Sequence, residues 1–192
     1  MVHIIGVDHL VQYNGPVPEE TRSAFRSFLV TTCRELGIRV LAEEFSEEAL
    51  REVYGATADT AQEAARTVGI EHRYCDPDSE QLAALGIPCF ADLREEARIR
   101  LNAPVSYILD RGMRKQVIAC ASDMARTYWP VREQYWLDRL ADVLDQDILF
   151  ICGHEHPGRF RKLLVARGHR CGIVCGFWKE EVFSDYGSLG LA

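Results

Sequence analysis

The most informative stretch of the sequence is residues 148–157, which read ILFICGHEHP. Its first five residues are apolar, which is typical of a strand buried on both faces of a parallel sheet. The polar residues from Gly153 to His156 follow directly, and Pro157 is suited to the first turn of a helix. The stretch therefore predicts a buried strand, a polar loop at its carboxyl end and a helix.

The same order of strand and helix recurs along the chain. Further apolar runs predict strands at residues 4–7, 38–42, 70–75 and 170–175. Residues 79–129 are rich in Ala, Leu, Arg and Glu and predict helices without a strand. The pattern indicates an α/β fold, with a mainly parallel sheet of four or five strands, helices on both faces and a helical insertion in the middle. We expect residues 1–192 to form a single α/β domain.

Composition excludes several classes of protein. The net charge of −7 and the lack of a basic block disfavour nucleic acid as a partner. No apolar run reaches the roughly 18–20 residues of a membrane span, and the first residues lack the basic region of a signal peptide. The seven cysteines are odd in number and form no C-x-x-C, which predicts free thiols rather than a disulfide framework. We therefore expect a cytoplasmic protein that has no membrane partner.

Polar residues follow each of the first four strands. In an open parallel sheet the ligand crevice lies outside the carboxyl ends of the strands, so these side chains are expected at one edge. Imidazoles and carboxylates at that edge can bind a divalent metal or share general acid and base catalysis. Acids that favour a helix start and ordinary surface histidines are the alternative. The residues in question are Asp8, His9, Glu43, Glu44, His72, Asp76, Asp78, His154, Glu155 and His156.

A G-x-x-H motif occurs twice, at residues 6–9 and at residues 153–156, each time directly after a predicted strand. Glycine allows a tight turn there or the close approach of a ligand. His156 precedes Pro157 and is predicted to cap the following helix. The positive end of that helix should keep the imidazole neutral, in the form that binds a metal or accepts a proton.

These motifs resemble the closing region of the TraB/Tiki and erythromycin-esterase/ChaN-like superfamily. The similar segments are residues 132–136 (REQYW), 149–156 (LFICGHEH), 163–164 and 168–169. The first G-x-x-H and the acids at residues 43 and 44 also fall where the superfamily places them. The resemblance implies a site built from His9, Glu43 or Glu44, Arg132 and His156. Members include proposed metalloproteases, esterases and a haem-binding protein, so it leaves the reaction open.

Two functions follow as hypotheses. The first is a hydrolase-like enzyme for a small-molecule or peptide substrate, with His9, Glu43, Glu44, Arg132 and His156 as catalytic residues. His9, Glu44 and His156 would hold a divalent metal or activate water, and Arg132 would stabilise negative charge. The second is a non-catalytic protein that binds a small ligand in the same pocket or a regulatory protein partner through residues 79–129. A nucleophilic Cys75 or Cys152 beside a histidine is a further alternative.

Overall fold

The structure is a computed structural model that describes residues 1–13, 17–53, 55–56 and 58–178. Within these ranges the chain forms five strands and seven α-helices. The strands are β1 Val2–Val7, β2 Val40–Glu43, β3 Glu71–Tyr74, β4 Ile148–Gly153 and β5 Cys171–Cys175. The helices are α1 Glu19–Glu35, α2 Thr60–Val68, α3 Ser79–Ala84, α4 Phe90–Arg100, α5 Arg111–Ala125, α6 Trp129–Arg139 and α7 Pro157–Ala166.

The five strands form one parallel sheet with the order β3-β2-β4-β1-β5. Each predicted strand is present, and the ends differ from the prediction by one or two residues. The strand β4 takes the middle position and pairs with both β1 and β2. The carboxyl ends of β1, β4 and β2 are therefore immediate neighbours, which is the condition that a site at this edge requires.

Helices cover both faces of the sheet, as predicted. Along β4, Leu149 and Ile151 belong to a buried cluster with side chains of α1 and α2. Phe150 lies between them in sequence and instead contacts the rings of Trp136 on α6 and Phe160 on α7. Because successive side chains of a strand point to opposite faces, this alternation buries β4 on both sides.

The predicted helical insertion is also present. The chain divides into two compact units, one containing the sheet and one formed by residues 77–135. In the second unit Leu93 and Ala97 of α4 share a buried cluster with Val117 and Ala121 of α5. This small core accounts for the run of helical sequence without a strand.

Two helix starts bring polar side chains close to strand ends. Asp59 caps α2 by accepting a hydrogen bond at Oδ1 from the backbone N–H of Gln62, at 2.7 Å. His156 takes the N-cap position of α7, and Pro157 is the first residue of that helix. Both positions follow from local sequence preferences, Asp at an N-cap and Pro in the first turn.

The cysteines are all free thiols. Burial raises the pKa of the Cys75 thiol to about 12, and Cys152 Sγ lies 3.8 Å from the carbonyl oxygen of Ile5 inside the sheet. Reactive cysteines need a lowered pKa and access to solvent, so neither residue is suited to act as the nucleophile. In the described part of the chain, no helix has the length and apolar character needed to cross a bilayer.

Candidate functional site

The carboxylate of Glu44 lies between two histidines that come from different strand ends. Its Oε2 is 3.8 Å from His9 Nε2, and its Oε1 is 3.7 Å from His156 Nε2. Glu44 directly follows β2, His9 follows β1, and His156 is three residues beyond β4. These three strands are neighbours, so their carboxyl ends bring the side chains together. We call His9, Glu44 and His156 the rim group.

Gly153, the glycine of the second G-x-x-H motif, provides the space for this arrangement. Its backbone N–H donates a hydrogen bond of 2.8 Å to Glu44 Oε2. A Cβ atom added at Gly153 would lie only 2.9 Å from His9 Nε2 and 3.5 Å from Glu44 Oε2. A side chain at this position would therefore occupy the space beside the imidazole nitrogen.

The glycine of the first motif, Gly6, has a structural role. A Cβ atom there would collide with the carbonyl oxygen of Gly176 and come within 2.8 Å of Pro157 Cγ. Neither Gly6 nor Gly153 adopts the left-handed backbone conformation. The predicted tight turn is therefore not the reason for glycine in these motifs, and close approach of neighbouring atoms is.

The two histidines of the rim group differ in exposure. The His9 side chain is 41% exposed, whereas that of His156 is 6% exposed. The His156 ring packs edge-on against Trp136, with 5.0 Å between ring centroids. His156 is thus fixed within the core, and His9 forms the side of the rim group that a ligand from solvent can reach.

Gln12 connects the rim group to a second group of ionisable residues. Its Nε2 donates a hydrogen bond of 2.8 Å to Glu43 Oε2, and its Oε1 lies 2.7 Å from His9 Nδ1. Because the amide oxygen can only accept, His9 must carry its hydrogen on Nδ1. In the neutral imidazole this leaves the lone pair on Nε2, the nitrogen that faces Glu44.

The second group consists of Glu43, Asp59 and His72, and we call it the buried group. Each residue offers one ligand-type atom, and these atoms all lie within 4.8 Å of one another, so the group could hold a metal ion. His72 Nε2 is 2.7 Å from Glu43 Oε1. Glu43 is fully buried and Asp59 is 1% exposed.

Burial dominates the ionisation of the buried group. It raises the pKa of the Glu43 carboxyl and, together with the charge of Glu43, the pKa of the Asp59 carboxyl. Burial also lowers the pKa of His72 below its usual value, so the imidazole is neutral at neutral pH. The group therefore contains two carboxyl groups and an uncharged imidazole, away from bulk water.

The structure separates the two glutamates that the sequence left as alternatives. Glu44 lies between His9 and His156, whereas Glu43 belongs to the buried group. Arg132 lies on α6 in the second compact unit, where it is half-buried. Its predicted action on negative charge stays a prediction.

Three other polar residues predicted at the rim make local structural contacts. Asp76 accepts a hydrogen bond of 2.9 Å from the indole N–H of Trp136, and Asp78 caps α3. His154 packs its ring on Phe177, with 4.6 Å between centroids. Each of these contacts gives the side chain a structural role.

Sequence analysis did not recognise Gln12 or Asp59 as parts of a site. Asp59 lies in the loop before α2 as its N-cap, so the rule that selects residues at strand ends did not include it. Gln12 follows His9 by three residues across a single 3-10 turn at His9–Val11. That spacing is the only signal that could have connected the amide with the imidazole.

Comparisons with known proteins add no assignment. No known protein family matches the chain, and neither a curated protein nor a solved structure shows significant similarity to it. The resemblance to the TraB/Tiki and erythromycin-esterase/ChaN-like superfamily therefore stays a prediction from the sequence.

Proposed function

We propose that the protein is a hydrolase whose catalytic residues are those of the rim group. The observation that carries the proposal is the position of the Glu44 carboxylate, with one oxygen 3.8 Å from His9 Nε2 and the other 3.7 Å from His156 Nε2. Both distances are too long for direct hydrogen bonds, so a water molecule or a metal ion can take part. A carboxylate with an imidazole on each side is suited to activating water.

The residue types of the rim group also suit a divalent metal, although within the described residues only the buried group has three ligand atoms within 4.8 Å of one another. Two imidazole nitrogens and one carboxylate are ligands found in catalytic zinc sites, which keep a fourth position for water or substrate. His9, Glu44 and His156 would hold the ion. When bound, such a metal lowers the pKa of a water molecule and polarises a carbonyl group.

The residues around the rim group support this chemistry by fixing its members. The N–H of Gly153 holds one oxygen of Glu44, and Gln12 holds the His9 ring with its lone pair on Nε2. That nitrogen can accept a proton from an attacking water, or it can bind a metal. Trp136 packs against His156 and restricts its rotation.

Esters and peptides are the substrate classes we propose. The exposed side of His9 gives a small carbonyl compound access to the rim group. The sequence resemblance to a superfamily that includes esterases and proposed metalloproteases supports the same classes. Both reactions need an activated water molecule at a carbonyl carbon.

Hydrolysis of two general reagents tests the proposal. The full chain is assayed with p-nitrophenyl acetate and with fluorescein-labelled casein, each with added Mn²⁺ and with EDTA. We expect turnover of at least one reagent, and a loss of about 100-fold or more in the variants His9→Ala and His156→Ala. The variant His154→Ala is the matched control, because it changes a histidine of the same loop that packs on Phe177.

Two results would contradict the proposal. One is the absence of hydrolysis of both reagents under either condition. The other is equal activity in the His9→Ala, His156→Ala and His154→Ala variants. Circular dichroism melting curves of all three variants show whether a loss of activity reflects loss of the fold.

A further inference from the structure

The buried group has a polar atom that the protein does not satisfy. Asp59 Oδ1 accepts the N–H of Gln62, but its Oδ2 is buried and makes no hydrogen bond of acceptable geometry. A buried carboxylate oxygen without a partner is costly, so native proteins usually provide a donor, a water or an ion there. Glu43 and Tyr74 lie beside Asp59, so either a proton shared with them or a bound cation would satisfy Oδ2.

A second unsatisfied atom lies at the same place. Tyr74 Oη is buried and makes no hydrogen bond of acceptable geometry, and the Tyr74 ring packs edge-on against His72 at 4.6 Å. Tyr74 lies within hydrogen-bonding reach of Asp59, and burial together with the charges of Asp59 and Glu43 raises the pKa of its phenol. The cluster thus has a phenol oxygen beside its three ligand-type side chains.

The charge of the cluster is not balanced by its hydrogen-bond partners. Glu43 accepts from the amide of Gln12 and lies 2.7 Å from His72 Nε2, and Asp59 accepts from a backbone N–H. The two carboxyl groups also lie within hydrogen-bonding reach of each other, and Tyr74 lies within reach of Asp59. Two carboxylates in a buried volume repel each other unless a proton or a cation lies between them. A divalent cation would satisfy Asp59 Oδ2 and offset both charges at once.

We propose that Glu43, Asp59 and His72 bind a divalent cation, with Tyr74 Oη beside it as a further oxygen donor. The ion joins the carboxyl end of β2 through Glu43, the strand β3 through His72 and the start of α2 through Asp59. To bind through Nε2, neutral His72 would carry its hydrogen on Nδ1. This site is separate from the rim group and does not depend on the proposed hydrolase activity.

Mn²⁺ is a suitable probe for this site, because it prefers oxygen and imidazole ligands and avoids the seven free thiols of the chain. The full chain is freed of metal with EDTA, incubated with MnCl₂ and passed through a desalting column. Bound Mn²⁺ is then counted by mass spectrometry, and the melting temperature is measured with and without the ion. Hydrolysis of p-nitrophenyl acetate is recorded separately.

The informative variant is Asp59→Asn. Asn is as good an N-cap as Asp, so the bond from Gln62 N–H is kept while a ligand oxygen is replaced by an NH₂ group. Asp78→Asn is the matched control, since Asp78 caps α3 in the same way, with a bond of 2.9 Å from the N–H of Gln81. We expect Asp59→Asn to bind one Mn²⁺ fewer than the wild type and Asp78→Asn to bind the same number.

The expected change in stability is also specific to the ion. At 100 times the dissociation constant, Mn²⁺ should raise the melting temperature of the wild type and of Asp78→Asn by about 5 °C or more. Asp59→Asn should show no rise. The metal-free melting temperature of Asp59→Asn should equal or exceed that of the metal-free wild type, because the repulsion between residue 59 and Glu43 is gone. If Asp59 had only a structural role, the variant would instead melt at a lower temperature with and without Mn²⁺.

The double variant His9→Ala/His156→Ala identifies which group holds the ion. We expect it to retain one Mn²⁺ and the rise in melting temperature while it loses hydrolysis. The proposal is overturned if this variant binds no Mn²⁺, if Asp59→Asn binds as much as the wild type, or if the wild type binds none and its carboxyl groups hold only protons. Should Asp59→Asn fail to fold, His72→Gln carries the same comparison, because its amide can still donate to Glu43.

Discussion

Two adjacent glutamates occupy opposite environments in this protein. Glu43 is the last residue of β2, is fully buried and bonds to Gln12 and His72. Glu44 is the next residue and lies between the two histidines of the rim group. Because neighbouring residues in an extended chain point to opposite sides, one strand end supplies a carboxylate to each of two groups. The comparison teaches that an acidic pair at a strand end can serve two different sites.

Replacing each glutamate by glutamine should separate the two roles most clearly. Glu44→Gln keeps an oxygen for the N–H of Gly153 but removes the charge between His9 and His156. We expect the kcat/KM of the proposed hydrolysis to fall by about 1,000-fold with little change in stability. Glu43→Gln removes a charge beside Asp59, so the metal-free protein should become no less stable, and activity should fall by less than about tenfold.

Reversed effects would contradict this assignment. If Glu43→Gln abolished hydrolysis and Glu44→Gln left it unchanged, the catalytic carboxylate would be in the buried group. Steady-state kinetics with p-nitrophenyl acetate and thermal melting of the same EDTA-treated samples provide both measurements.

The buried group should also make the stability of the metal-free protein depend on pH. The folded state raises the carboxyl pKa of Glu43 to about 7 and that of Asp59 to about 8, from ordinary values of 4.5 and 3.8. The folded protein therefore holds protons that the unfolded chain has released, and the free energy of unfolding decreases as pH rises from about 4.5 to about 8. We expect a loss of several kcal/mol across this range, since each pKa unit corresponds to about 1.4 kcal/mol.

The variant Asp59→Asn isolates this effect from the other titrating groups. Urea unfolding at pH 5, 6, 7 and 8, in EDTA, should give a clearly smaller loss of stability for Asp59→Asn than for the wild type. If the free energy of unfolding falls equally with pH in the two proteins, the carboxyl groups of the buried group have the same pKa in the folded protein as in the unfolded chain.

Sequence patterns predicted the sheet and the placement of His9, Glu44 and His156 at one edge of it, and the reason is physical. Apolar runs report burial on both faces, and the rule for parallel strands then places residues such as His9 and His156 at one edge. They did not predict strand order, because β4 enters the sheet between β1 and β2 after more than a hundred intervening residues. Local residue preferences contain no record of such a pairing, so the central position of β4 could not be predicted.

The buried group was predicted only in part, for a related reason. Its members come from a strand end, a strand interior and a helix cap; Glu43 and His72 were among the polar residues expected at the edge of the sheet, and Asp59 was not. His72 lies within β3 rather than beyond it, and its side chain reaches across to Glu43. A site assembled from three kinds of local structure leaves no regular spacing in the sequence.

Gly153→Ala tests whether the space beside His9 Nε2 matters. The new Cβ would lie 2.9 Å from that nitrogen, but the His9 side chain is half-exposed and can move away. We expect a loss of activity of about 100-fold from a displaced imidazole, with a small loss of stability. Gly158→Ala is the control, because a Cβ there meets no atom within 4 Å and α7 should become slightly more stable.

If the two alanine variants are equally active, His9 does not need its observed position beside Glu44. If Gly153→Ala instead unfolds the protein, the close contact is a feature of the core. Melting curves and hydrolysis assays of both variants distinguish these outcomes.

The smallest effect is expected where the two groups are connected, at Gln12. Gln12→Met has a similar volume but removes the hydrogen bonds to His9 Nδ1 and Glu43 Oε2. Without the amide, His9 is free to place its hydrogen on Nε2 and to rotate, so we expect kcat/KM to fall about tenfold. Because the hydrogen position of His9 is no longer fixed, the pH profile of kcat/KM should shift as well, which a purely structural loss would not cause.

Gln81→Met is the control for this variant. The side-chain oxygen of Gln81 accepts comparable hydrogen bonds from the N–H of Asp78 and from Tyr135 in the helical unit. If the pH profile of Gln12→Met is unchanged, or if Gln81→Met loses as much activity, the hydrogen bonds of Gln12 do not set the state of His9. The rim group and the buried group then act independently.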